Sequence, residues 1–289
     1  MEVEIQEIII ATKRGYPIVA QKFSSENDMK KTLIVSSATG VLQKFYSKFA
    51  SFFATKGLVV YTFDYSGIGK SRSSISELKQ NDVDLTDWGQ NDQAAVVSFA
   101  KDQNPNAELI LIVHSIGGQL VGLNPDFHKL DKVIMVASQT GYWKYFKGMH
   151  KPKMWLFWNV AIPFLTTFFG YFPAKKLGLF ENLPKNMVYE WAKWGRQKEY
   201  MMSFYDRETY FFDAIKIPML FLSFPDDIFA PRKAVDWLSD QYKVARQTRI
   251  HYRTEKEEKQ PGHFDFFKPA FQEPFWEGSL QWILNGSFK

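Results

Sequence analysis

Leu109-Ile110-Leu111-Ile112-Val113-His114-Ser115-Ile116-Gly117-Gly118-Gln119-Leu120 decides how this chain must fold. Five consecutive apolar residues, β-branched or Leu, suit a strand buried on both faces, and two glycines straight after Ser115 and Ile116 open a second apolar run. The stretch therefore reads strand, turn, helix with almost no loop between. A turn that tight lifts the side chain of its central residue, Ser115, clear of the sheet and above a helix N-terminus. A hydroxyl so placed has the geometry of an acyl-transfer nucleophile, with the unpaired N–H of Ile116 aimed at the oxyanion formed on attack. Gly117 and Gly118 fit a helix that passes close over neighbouring strands. One residue departs from the pattern: Val113 stands where a small residue is expected.

Outward from that stretch, strands and helices alternate. Val3 to Ile10 and Tyr16 to Phe23 read as strands joined by a turn at Lys13-Arg14-Gly15, an antiparallel edge. Thr32 to Ser36 is a third, followed by the small, polar loop Ser36-Ser37-Ala38-Thr39-Gly40-Val41, in which a backbone N–H could serve as a second oxyanion donor. A helix with Phe45, Phe49, Phe52 and Phe53 on one face stops at Gly57. Leu58 to Phe63, Lys132 to Ala137, Ile217 to Phe224 and Thr248 to Tyr252 complete eight strands. Asp87-Trp88-Gly89-Gln90 has the acceptor and glutamine of a capping box opening a helix that packs Trp88, Ala95, Val96 and Phe99 inward. A last helix begins at Pro274 and ends near Gly286. Alternation at this spacing predicts an α/β protein with a mostly parallel eight-stranded sheet covered by helices on both faces.

Residues 142–212 break the rhythm. Tyr142 to Phe212 holds 22 of the 49 aromatic residues, and it carries no strand signal. Met154 to Phe172 runs 19 residues without a charge, between Lys151 and Lys153 on one side and Lys175 and Lys176 on the other. That length approaches a membrane span. Asn159 and Pro163 interrupt it, however, and the α/β pattern resumes downstream, so a helical cap is predicted, with peripheral lipid contact as the membrane alternative. The division is a core over 1–141, a cap insertion over 142–212 and the rest of the core over 213–289.

Composition narrows the chemistry. The 289 residues are 45% hydrophobic, and 36 Lys and Arg against 31 Asp and Glu leave a net charge of +5, too small and scattered to argue for nucleic acid. With no cysteine, thiolate catalysis, disulfides and cysteine-ligated metals are excluded; no metal or cofactor is called for. Met1-Glu2-Val3-Glu4-Ile5 lacks the basic and apolar regions of a signal peptide, so a cytoplasmic location is expected. Gly69-Lys70-Ser71 fails as a phosphate loop because position 64 is Asp, and Gly67-Ile68-Gly69 fails as a dinucleotide fingerprint because position 72 is Arg.

A serine nucleophile needs a base and a carboxylate to orient it. Of five histidines, His114 is tied to the elbow, His128 and His150 lie outside the strand-end loops, and His251 sits in the last strand. That leaves His263, in the loop after the last strand. Asp226 and Asp227 both lie in the loop after the preceding strand, and the chain order is Ser, Asp, His.

On these residues the chain resembles the α/β-hydrolases from end to end, most closely the lipase and serine aminopeptidase-like branch with a helical lid. Val113-His114-Ser115-Ile116-Gly117-Gly118 is similar to that family's nucleophile elbow, and Phe63-Asp64-Tyr65-Ser66-Gly67-Ile68-Gly69-Lys70-Ser71 to the loop after its fourth strand. Gly170-Tyr171-Phe172-Pro173, Leu183-Pro184 and Trp191-Ala192-Lys193-Trp194 resemble a lid found in bacterial members. The resemblance implies Ser115, Asp227 and His263 as catalytic residues, Asp227 rather than Asp226 because the family's acid lies four residues before a proline. It implies the N–H groups of Ile116 and Ala38 as the oxyanion hole, although Ser36-Ser37 does not match the family's His-Gly. The implied activity is cleavage of an ester, thioester or amide of a small hydrophobic acyl substrate through an acyl-enzyme, of the carboxylesterase or lipase kind. Aminopeptidase or acyltransferase chemistry on the same triad, and a non-catalytic binder on the same fold, are the alternatives. Dehalogenase and epoxide hydrolase branches place Asp at the elbow and are disfavoured.

Overall fold

The computed structural model describes residues 2–252 and 260–288. The loop expected after the last strand, which holds His263, falls partly on 253–259, outside the described residues. Eight strands form one sheet: β1 (Glu4–Ala11), β2 (Pro17–Ser24), β3 (Lys31–Ser36), β4 (Val59–Phe63), β5 (Glu108–His114), β6 (Lys132–Val136), β7 (Pro218–Ser223) and β8 (Arg246–His251). Their order is β1-β2-β4-β3-β5-β6-β7-β8. β2 runs antiparallel to β1 and β4, and every other pairing is parallel. This is the α/β-hydrolase sheet, mostly parallel with an antiparallel edge.

β5 sits at the centre because its residues are apolar on both sides. Leu109, Leu111 and Val113 enter the core on one face with Trp88, Val96 and Leu120, while Ile110 and Ile112 enter the other with Phe49, Phe53 and Trp276. A strand with two apolar faces is stable only where helices cover both. Ser47–Thr55 and Gly278–Asn285 contribute to the second of these layers, and Ala94–Gln103 to the first.

The helix expected at Asp87 starts three residues earlier. Asp84 accepts the Asp87 N–H at 2.8 Å, and Asp87 accepts the Asp84 N–H at 3.2 Å, a reciprocal cap made by two aspartates. The short Leu85–Asp87 turn continues through a π-helical Trp88–Gln93 into Ala94–Gln103. A carboxylate one methylene shorter than Glu performs the return bond.

Residues 142–212 contain helices and turns, with one isolated bridge, Phe172 to Leu183, among the described residues. His150–Leu156, the π-helical Phe157–Ala161 and Ile162–Phe169 follow one another without a break, and Gly170 ends the run at φ +76°. No helix among the described residues is long and apolar enough to cross a membrane. Lys185–Gly195 packs against this run and against the Leu85–Asp87 turn.

Candidate active site

β5 ends at His114, and the helix Ile116–Val121 begins two residues later. Ser115 makes the join at φ 54° and ψ −113°, a backbone conformation that costs an L-residue about 1–3 kcal/mol. Its surroundings enforce the strain. β5 is pinned by β3 and β6, with Ser36 opposite Val113 and His114 opposite Val136, and the Ser115 N–H donates to Val136 O at 3.0 Å. The following glycines are required by contact: a Cβ on Gly118 would stand 2.5 Å from Ser138 Cβ, and one on Gly117 2.8 Å from Ser36 Oγ. Val113 is accommodated from the same side. A Cβ on Gly117 would also lie 3.2 Å from Val113 Cβ, so Gly117 yields the room that a smaller residue at 113 would have left.

The loops after β7 and β8 meet at the same sheet edge. Asp227 is buried, and its Oδ1 accepts from the N–H groups of Phe229 (2.8 Å) and Ala230 (2.9 Å). Its Oδ2 lies 2.7 Å from His263 Nδ1. Because an ionised carboxylate only accepts, this bond puts the ring proton on Nδ1 and leaves Nε2 bare. Asp226 is exposed to solvent and makes no such bond. Among the other histidines, His128 bonds Pro125 O and His251 Nδ1 pairs with Ser223 Oγ.

His114 belongs to a buried chain of bonds that sequence reasoning missed. Its Nε2 lies 2.7 Å from the backbone oxygen of His263, and its Nδ1 lies 2.8 Å from Tyr46 Oη. Carbonyl oxygen cannot donate, so Nε2 carries the proton, Nδ1 accepts from the tyrosine hydroxyl, and the tyrosine oxygen accepts from the Ala38 N–H at 3.0 Å. Every polar atom in that chain is satisfied by one tautomer. Burial, with His263 adjacent, drives the His114 pKa well below its ordinary value, which keeps the ring neutral as the bonding requires.

The Ala38 N–H, implied as an oxyanion donor, is already donated to Tyr46. Among the described residues the next N–H in the loop, that of Thr39, has no partner, nor has that of Ile116. Thr39 and Ser115 line one cavity.

The cavity is lined by Ser115 and His263 and is mostly apolar, with Phe146, Phe157, Trp158 and Phe172 among its walls. Gln139, from the loop after β6, brings Nε2 to 3.5 Å from Ser115 Oγ. The carboxylate in its wall, Glu181, is buried and paired with Arg72 at 3.2 Å and with Lys175. Phe180, Phe264 and Phe229 form a rim beside His263, with ring separations of 4.9 Å (Phe180–Phe264) and 5.4 Å (Phe229–His263).

Comparison with known proteins agrees with the fold. A family model, the serine aminopeptidases S33, matches residues 27–178, more than half of the chain. No curated protein sequence matches. Among solved structures, an esterase of Pyrococcus furiosus superposes with a TM-score of 0.64 at 16% identity, covering 99% of this chain and 92% of that one. A thermostable carboxyl esterase of Bacillus coagulans, in complex with glycerol, superposes with a TM-score of 0.62 at 10% identity, covering 99% of each chain. An esterase of Exiguobacterium antarcticum gives 0.60 at 14% identity, covering 97% of this chain and all of that one. At these identities the likeness is one of fold.

Proposed function

The chain belongs to the serine aminopeptidase S33 family of α/β-hydrolases, and from that premise we propose that it is a serine hydrolase that cleaves esters of hydrophobic acyl groups. One observation carries the reading: Ser115, held at a strained elbow, lines the same apolar cavity as His263, whose Nδ1 is bonded to buried Asp227 at 2.7 Å. His263 Nε2 takes the Ser115 proton as Oγ attacks the acyl carbon, and Asp227 holds the tautomer and stabilises the imidazolium that forms. The developing oxyanion is met by the Ile116 N–H, at the positive end of its helix, and by the Thr39 N–H. Protonated His263 then hands its proton to the leaving alkoxide, and water releases the acyl group by the same route in reverse.

An ester is favoured over a peptide N-terminus by the wall of the cavity. An aminopeptidase needs a carboxylate to receive the α-ammonium group, and Glu181 is already committed to Arg72 and Lys175. Helices from 142–212 supply Met154, Phe157, Trp158 and Trp191 to the walls. In this reading that segment is a cap over a core made of 1–141 and 213–289, and its aromatic residues receive the acyl chain.

The test is labelling with a fluorophosphonate. The native chain is labelled on Ser115, and Ser115→Ala is unlabelled, folds normally and loses roughly three orders of magnitude or more in kcat. Label on another serine, or a variant retaining most of its activity, refutes the assignment.

A further inference from the structure

The run from His150 to Phe169 is apolar on both sides. Trp158, Ile162 and Thr166 are buried against the protein, and Trp155, Leu156, Val160, Phe164 and Phe168 face outward, with Phe164 69% and Phe168 75% exposed. Steps of four residues drift by about 40° around a regular α-helix, so a ridge at 156, 160, 164 and 168 would ordinarily wind away from one face. The wider π-turn at Phe157–Ala161 takes up part of that drift and keeps the ridge on the solvent side. A helix hydrophobic all round is normally buried all round; this one is covered on one face only.

We propose that the outward face docks on an anionic lipid bilayer, with the run lying in the plane of the headgroups. Charge identifies the occupant. Between positions 141 and 180 the sequence has six lysines and neither Asp nor Glu. Lys144, Lys147, Lys151, Lys153 and Lys176 are exposed and make no ion pair among the described residues. Lysines flanking a strip of Trp, Phe and Leu suit a negatively charged interface, and a second copy of the same face would set lysine against lysine. The face is also continuous with the active-site mouth. Lys147 and His150, at the start of the run, share a surface depression with Ile228, and exposed Phe229 and Phe180 lead from there to the rim beside His263. Docked this way, the cavity opens at the depth where acyl chains lie.

The docking does not depend on the hydrolase reading, and the experiment separates the two. Flotation of the full chain is measured with vesicles of phosphatidylcholine alone and of phosphatidylcholine mixed with phosphatidylglycerol, beside sedimentation without vesicles. The native chain is a monomer that partitions onto the anionic vesicles, and Ser115→Ala partitions equally well. Phe164→Ser and Phe168→Ser each lower partitioning about tenfold or more while short-ester turnover and melting temperature stay unchanged, since neither lines the cavity. Lys151→Glu and Lys153→Glu each lower it at least about fivefold, and high salt weakens it. Absence of binding to either vesicle overturns the proposal, as does binding that all four variants retain. A dimer dissociated by Phe168→Ser, with vesicles left bare, assigns the face to a second copy and overturns it as well.

Discussion

Tyr46→Phe removes one oxygen and orphans two buried groups. The Tyr46 hydroxyl accepts from the Ala38 N–H at 3.0 Å and donates to His114 Nδ1 at 2.8 Å, and Tyr46 and His114 are fully buried, with Ala38 nearly so. Each buried polar group left without a partner costs about 1–3 kcal/mol, so the two together cost about 2–6 kcal/mol. With an unfolding entropy of about 2.1 cal/mol/K per residue over 289 residues, or about 0.6 kcal/mol/K, the melting temperature falls by about 3–10 °C. Activity falls too, because the same chain of bonds ties the loop after β3 to the backbone of His263, and kcat/KM drops about tenfold to a hundredfold through misplacement. Thermal melting by circular dichroism and ester turnover read the two effects. His114→Leu removes the acceptor, so the double variant loses less than the sum of the singles. A Tyr46→Phe protein melting within about 1 °C of the native one, or strict additivity in the cycle, refutes the connected chain.

Asp227→Asn lowers kcat far more than Asp226→Asn, since only Asp227 bonds His263; the reverse order in steady-state kinetics moves the acid to Asp226. Along a series of straight-chain acyl esters kcat/KM rises by about fourfold per methylene, the equivalent of about 0.8 kcal/mol each, until the cavity is filled, and a flat series from acetate to octanoate rules out an apolar acyl site. Burial pushes the Asp92 carboxyl up to about 7, although it accepts from Ser66 N (2.7 Å) and Tyr16 Oη (2.9 Å). The folded chain then holds a proton that the unfolded chain releases near the ordinary aspartate value of about 3.9. Its contribution is therefore greatest in acid and is lost as pH rises toward about 7, by up to about 1.4 kcal/mol per pH unit. Denaturant melts at about pH 5 and about pH 8 show that loss shrinking in Asp92→Asn, and an equal loss in both proteins contradicts it. Gly118→Ala drives a methyl into Ser138 and destabilises by about 1–3 kcal/mol; a melt superimposable on the native one means that the helix can shift away.

What the sequence could reveal divides by the distance over which residues interact. β5 and its elbow are written in adjacent residues, five apolar followed by a turn, and so are the other strands of the sheet. The cap at Asp84 is also local, yet the pattern sought was Glu or Gln three residues on, and Asp87 fills that place with a shorter carboxylate. Tyr46, His114 and the His263 carbonyl are a different matter, being 68 and 149 residues apart and meeting only because the loops after β3, β5 and β8 share one edge of the sheet. Nor could the bond from the Ala38 N–H to Tyr46 be read from the loop itself: the loop gives the donors, and Tyr46 takes one of them. The aromatic richness of 142–212 was plain, but not its division between inner and outer faces, which depends on the π-turn.

The backbone angle at Ser115 bears on how the chain would drift under selection for stability alone. Glycine adopts φ 54°, ψ −113° without the steric conflict that serine meets there, so Ser115→Gly should melt higher than the native chain by the relief of part of about 1–3 kcal/mol. A descendant that had ceased to use the hydroxyl would gain by that substitution at once, since one step separates an active elbow from a more relaxed one. Serine at 115 therefore carries a thermodynamic cost that glycine would not, and the size of that cost can be measured in a single pair of melts.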